Sequence, residues 1–189
     1  VAAMRMKLST LVALFVFAPS VLADAQTAPA RDAAPRYRAE VINPTLSGSL
    51  CLPHSNTVLL WGTDGSIWRS DKPLEWTRGR TDTDADLSSI AANEDGSVLI
   101  AVGQRGTILR STDRRRRWSS ISIASITHDL RSVAHHAAGD IWIATGVGTG
   151  VLRSVDAGRT WRSVDAAPRV TFGTLASDPK NDTLLIGEE

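Results

Sequence analysis

Short apolar runs separated by polar turns recur along most of the chain. Val58-Leu-Leu-Trp-Gly62, Val98-Leu-Ile-Ala-Val-Gly103 and Ile141-Trp-Ile-Ala-Thr-Gly146 occupy matching places. Each is followed by a second run, Ile67-Trp-Arg-Ser70, Ile108-Leu-Arg-Ser111 or Val151-Leu-Arg-Ser154. Ahead of the last two sets stand Asp86-Leu-Ser-Ser-Ile-Ala91 and Asp129-Leu-Arg-Ser-Val-Ala134, which alternate in the manner of strands. The Asp-Gly and Gly-Asp pairs in Asn93-Glu-Asp-Gly96 and Ala138-Gly-Asp140 suit tight hairpins between them. The runs over 98–102 and 141–144 are apolar without alternation, so both of their faces are expected to be covered, as in twisted sheets stacked side by side.

Each set ends in a repeated octad. Ser154-Val-Asp-Ala-Gly-Arg-Thr-Trp161 is the fullest copy. Ser111-Thr-Asp-Arg-Arg-Arg-Arg-Trp118 keeps its Ser, Asp and Trp, and Ser70-Asp-Lys-Pro-Leu-Glu-Trp76, one residue short, keeps its ends. Trp76, Trp118 and Trp161 stand 42 and 43 residues apart. A fixed period of this size, filled with short strands and turns, is the signature of propeller blades. The expected fold class is therefore all-β, a β-propeller of four-stranded antiparallel blades. The blades fall at about 45–78, 86–122 and 129–164, with a partial fourth over 171–189. In that last unit Leu175 answers Val133, and Thr183-Leu-Leu-Ile-Gly187 answers the second strands through Ile100, Ile143 and Ile186. A closed ring needs about four to eight blades, so the chain reads as a fragment of a longer propeller.

The octad pattern Ser-x-Asp-x-Gly-x-Thr-Trp resembles the Asp-box, or BNR repeat, of sialidase-type β-propellers. The Arg-Ser lead and the Ile-Ala-x-Gly strand make the chain most similar to the photosystem II assembly and stability factor family, over roughly residues 45–189. That resemblance implies a seven-bladed ring serving as a non-catalytic scaffold for protein partners, with an arginine-rich binding surface. Relatives of the family also occur as secreted proteins in bacteria without photosynthesis.

Read physically, the octad is a staple. A short acid such as Asp156 or Asp113 is placed to accept backbone N–H groups of its own turn. Gly158 permits the reversal of the loop, Ser154 and Thr160 supply hydroxyls, and Trp161 lays apolar surface against a neighbouring sheet. Ser111, Trp118, Ser70 and Trp76 are expected to repeat those roles. Blade two departs from the pattern, with Arg115 for Gly and Arg117 for Thr, and so carries the run Arg114, Arg115, Arg116, Arg117. Such a run reads either as a solvated, self-repelling turn or as a docking patch for an acidic partner. Arg69, Arg110 and Arg153 add one arginine per blade, just before each octad serine. They form either a common partner-binding track or a set of locally paired side chains lying over their blades.

Composition narrows the classes. A net charge of +1 favours neither bulk nucleic-acid binding nor adsorption to membranes. The first residues have the layout of an export signal: Arg5 and Lys7, an apolar core over 8–18, and a small-residue cleavage site at Val21-Leu-Ala23. Residues 1–23 are thus expected to be a signal peptide and 24–39 a flexible linker, with a strand at 37–42 completing a blade. The expected localisation is periplasmic or extracellular, or lumenal in a photosynthetic source. The expected partner is a protein, such as a membrane or envelope complex, with no transmembrane span after cleavage. The single cysteine, Cys51, excludes an intrachain disulfide and sits in the apolar run Ser49-Leu-Cys-Leu52, which predicts a buried thiol.

Other chemistry finds less support. A sialidase-like glycoside hydrolase, the alternative reading, needs an arginine cluster, a tyrosine nucleophile with its glutamate, and an acid/base carboxyl. The one tyrosine, Tyr37, lies beside the flexible lead. Thr81-Asp-Thr-Asp-Ala-Asp86 resembles the opening of a calcium loop but has Leu87 and Asn93 where such a loop has glycine and an acid. Asp86 recurs as Asp129, which points to a loop role common to the blades. His135 and His136 are adjacent strand residues aimed at opposite faces, a poor arrangement for sharing one metal ion. Gly146-Val-Gly-Thr-Gly150 is a turn between two strands rather than a phosphate loop. No catalytic residue, metal or cofactor is expected.

Overall fold

Four strands, a turn, and four strands again set the rhythm of the chain. A computed structural model describes residues 45–73, 75–113, 117–123, 126–164, 171–178 and 183–188. The first antiparallel sheet holds β1 (Leu46–Cys51), β2 (Val58–Gly62), β3 (Ile67–Lys72) and β4 (Glu75–Arg78) in chain order. A short β5 (Arg80–Thr81) leads on to the second sheet. It holds β6 (Leu87–Ala92), β7 (Leu99–Gly103), β8 (Ile108–Ser111) and β9 (Arg117–Ser120), and β5 runs parallel to β9 along its outer side. The third is β10 (Leu130–His136), β11 (Ile141–Gly146), β12 (Gly150–Ser154) and β13 (Arg162–Ser163). β14 (Phe172–Asp178) and β15 (Thr183–Glu188) form an antiparallel pair that begins a fourth. Among the described residues there is one 3-10 turn, Gln104–Gly106, and no α-helix. Among the described residues no helix is long and apolar enough to cross a membrane.

The sheets stack face to face through their apolar runs. Every residue of β7 is buried, because its two faces serve different neighbours. Leu99 and Ala101 join Leu59, Trp61 and Ile67 of the first sheet in one core, while Ile100 and Val102 join Leu130, Trp142 and Ala144 of the third in another. Alternation of side chains across a strand thus lets one continuous apolar run fill two interfaces. The first strands are also tied directly. The Ser89 hydroxyl accepts the Val133 N–H at 3.4 Å, and the Ser132 hydroxyl accepts the Leu175 N–H at 3.1 Å.

One irregularity recurs in each complete sheet. Leu46, Leu87 and Leu130 pair with Gly62, Gly103 and Gly146, and the register slips just after each pair. The carbonyls of Thr45, Asp86 and Asp129 then accept the N–H of Thr63, Gln104 and Val147 at 3.0, 2.9 and 2.9 Å. A Cβ at Gly62, Gly103 or Gly146 would stand 1.9, 2.1 or 2.1 Å from those same carbonyl oxygens. Glycine at the end of each second strand is therefore a requirement of close backbone approach.

Two expectations are corrected. Cys51 is exposed rather than buried. Leu50 of β1 and Leu52 just after it turn toward the core shared with the second sheet, so the alternate positions, Ser49 and Cys51, turn away from it. In the fourth unit Leu175 pairs with Ile186 as Val133 pairs with Ala144. Ile186 therefore takes the place of Ala144, and Leu185 that of Ile143. A spacing counted from the tryptophan period was one residue out, which in a strand exchanges the two faces. The expected signal peptide, linker and 37–42 strand lie outside the described residues, as do Arg114, Arg115 and Arg116.

Candidate partner-binding site

The third octad folds as a closed hydrogen-bonded loop around one carboxylate. Asp156 Oδ1 accepts the Thr160 N–H at 2.9 Å and the Ser154 hydroxyl at 2.8 Å, and its Oδ2 accepts the Thr160 hydroxyl at 2.6 Å. Ser154 Oγ accepts in turn the Gly158 N–H at 3.0 Å. The Thr160 hydroxyl and N–H hold the Asp156 carboxyl at about 2, below the usual carboxylate range, against a smaller opposing effect of burial. Ala157 and Gly158 both take positive φ, 56° and 76°, where the loop reverses. Trp161 closes the loop by donating its indole N–H to the Gly158 carbonyl at 3.2 Å, and its ring enters the core between the second and third sheets. This is a structural device, and its polar groups face one another rather than a ligand.

The other octads keep part of it. Ser111 donates to Asp113 Oδ1 at 3.2 Å, and that oxygen also accepts the Arg117 N–H at 3.0 Å. Trp118, 2% exposed, fills the core between the first and second sheets. Ser70, in the first octad, donates to the Lys72 carbonyl at 2.6 Å, and Trp76 is half-buried outside either core. Trp118 and Trp161 are thus each oriented toward the sheet before their own.

Arg69, Arg110 and Arg153 occupy equivalent places in the third strands, opposite Leu59, Ile100 and Ile143. Their surroundings differ. Arg69 pairs with Asp71 through its Nε and Nη2, one to each carboxylate oxygen. Arg110 donates its Nε–H to the Ala157 carbonyl at 2.7 Å, and so links the second sheet to the octad loop of the third. Burial and the neighbouring Arg159 lower its pKa, while Asp156 acts in the opposite sense. Arg153 is exposed, and so is its cross-strand neighbour Arg162. Close by, Val155 presents 58% of its surface to solvent. Arg117 is exposed on β9.

The acids between the blades have a different task. Asp86 Oδ1 accepts the Asp64 N–H at 3.1 Å and its Oδ2 accepts the Gln104 side-chain amide at 3.0 Å. Asp129 Oδ1 accepts the Arg105 N–H at 3.0 Å. Asp64 and Arg105 both have φ of 56° in the turn between second and third strands. Each acid therefore braces the strained turn of the sheet before it. The signal was present in the recurrence of Asp86 as Asp129, but the turn it serves is remote in sequence. No group of three or more metal-ligating side chains occurs among the described residues. His135 Nε2 pairs with Asp140 Oδ1 at 2.8 Å and its ring lies 4.7 Å from that of Trp142, while His136 is buried on the other side of the strand.

No protein-family model matches the chain, and no curated protein sequence matches it. Among solved structures it is similar to YCF48 bound to D1 peptide, with a TM-score of 0.53 and 17% identity over 71% of this chain and 49% of that one. It is likewise similar to YCF48 from Cyanidioschyzon merolae, with a TM-score of 0.55 and 15% identity over 70% of this chain and 44% of that one. The chain spans about half the length of these proteins or less. At such identity the likeness speaks for architecture, and with the stacked four-stranded sheets it shows that the chain has the fold of β-propeller blades.

Proposed function

We propose that the chain is part of an exported, non-catalytic β-propeller that binds protein partners, in the manner of photosystem II assembly factors. The observation that supports this most is the structural likeness to YCF48, one of whose structures holds a peptide. The octads, with their resemblance to the Asp-box, act as rim staples in this reading, so partner recognition falls to side chains outside them. Of the arginines singled out, Arg153 is the best placed, since it is exposed beside Arg162 and Val155. That combination of two guanidiniums and an apolar contact suits an acidic segment of a partner. Arg69 and Arg110 are already engaged with Asp71 and Ala157 and contribute to the blades themselves. With residues 1–23 read as an export signal, the partner in this proposal lies in the envelope or outside the cell.

The test is affinity capture from an envelope fraction, comparing the chain with its Arg153→Glu/Arg162→Glu variant at matched melting temperature. A discrete partner held by the parent and lost by the variant supports the proposal. Equal recovery by both removes these residues from it. Turnover of a fluorogenic sialoside by the purified protein would instead establish the glycoside-hydrolase alternative.

A further inference from the structure

A cleft of about 630 Å³ opens on the rim between the first and second sheets, lined by Arg69, Asp71, Thr77, Arg78, Arg80 and Arg117. Its charge is unbalanced. Arg69 is taken up by Asp71, whereas no ion pair among the described residues uses Arg78, Arg80 or Arg117. The backbone forces two of these together. The parallel pairing of β5 with β9 sets Arg80 beside Arg117 and Thr81 beside Trp118. Like charges held side by side on paired strands are destabilising. Gly79, between Arg78 and Arg80, donates its N–H to the Ile67 carbonyl at 2.8 Å, which fixes the bend that delivers both arginines to the cleft.

At the matching place on the second sheet the cleft is smaller, about 230 Å³, and is lined by Arg110, Thr112, Asp113, Arg117, Ser119 and Ile121. There Arg110 reaches the Ala157 carbonyl, and a Cβ on Gly158 would come within 2.3 Å of Ile100 Cδ1. The second octad has arginine, Arg115, where the third has Gly158.

We infer that this cleft binds a tetrahedral oxyanion, a phosphate or sulfate group. A phosphate monoester carries roughly two negative charges and three strong acceptor oxygens, and it faces three guanidiniums that no ion pair among the described residues engages. Arginine's planar fork suits such oxygens in bidentate fashion. A lone carboxylate offers one charge and two oxygens and leaves the cleft positive. The Thr77 hydroxyl on the cleft wall offers a further donor, and the volume leaves room for the group that bears the ester. This site is independent of the partner reading above, since it uses neither Arg153 nor Arg162.

The experiment is a titration of the purified chain followed by tryptophan fluorescence, since Trp118 follows Arg117 in β9, and by melting temperature. The probes are inorganic phosphate, sulfate, glycerol phosphate and a hexaglutamate peptide. Phosphate and glycerol phosphate should bind saturably and raise the melting temperature, and a preference for the ester over the free ion identifies the ligand as ester-borne. Arg80→Gln/Arg117→Gln should weaken binding at least tenfold, while its melting temperature without ligand equals or exceeds the parent's because a repulsion has been removed. Arg153→Gln should bind as the parent does. Should the double variant fail to fold, Arg80→Gln alone should still weaken binding at least threefold. The inference is overturned if neither phosphate nor sulfate binds, if binding survives these substitutions, or if hexaglutamate binds more tightly than glycerol phosphate.

Discussion

At the residue scale the third octad is a set of local bonds, and that is why it could be read in advance. Ser154, Asp156, Gly158, Thr160 and Trp161 meet inside one loop, so their offsets in the sequence are their geometry. The Asp156 carboxyl, held at about 2 in the fold, titrates near 3.9 in an unfolded chain. A depressed folded value means stability that is present above the unfolded value and fades as pH falls from about 4 through about 2. Asp156→Asn should therefore cost about 1–2 kcal/mol near neutrality, and the gap between the two acid-unfolding curves should close by about pH 2. Gly158→Ala meets two obstacles, a φ of 76° and the nearby Ile100 Cδ1. It should cost about 2–3 kcal/mol in urea unfolding. Adding Ile100→Val should recover part of that loss, because it removes the clashing methyl and leaves the backbone strain. Additive costs would mean that the two residues are not in contact. What the sequence could not show was the role of Arg110, whose partner, Ala157, lies in the following blade. The same distance hid the bracing of the turns by Asp86 and Asp129.

At the scale of the element, the strands announced themselves by composition, but their facing did not. The runs over 98–102 and 141–144 are apolar throughout, and the structure divides their residues between two cores or buries both faces. Cys51 was misjudged because an apolar run says that a strand is buried without saying which alternate positions look toward the core. Ile186 was placed one residue out because a tryptophan period cannot register a difference of one in the loops between. The tryptophans show the same dependence on context. Trp118 is enclosed by the first and second sheets, whereas Trp76 stands half-buried outside either core. Trp118→Ala should cost about 3–5 kcal/mol, and Trp76→Ala less than about 2 kcal/mol. Chemical denaturation of the two variants checks this, and equal losses would mean that Trp76 has a covering not apparent from the described residues.

At the scale of the molecule, the blades are a row of sheets coupled through neighbours, and the second belongs to both cores. Leu99, Ala101 and Leu109 serve one interface while Ile100, Val102 and Ile108 serve the other. In such an array stability is roughly the sum of each repeat and its interfaces, so the middle member holds the largest share. The ends have less. β1 keeps alternate positions exposed, and Thr174 and Ala176 of β14 are exposed as well. Amide hydrogen exchange reads this directly, since opening that frees a few contacts costs less than opening that frees many. Exchange should be slowest in β7 and β8, slow in β11, and fastest in β1 and in the β14–β15 pair. The order should survive Arg80→Gln/Arg117→Gln, which alters charge on the rim and leaves both cores intact. Uniform protection from β1 to β15 would mean that the sheets open as one unit, and the division into two cores sharing the second sheet would then have no energetic meaning.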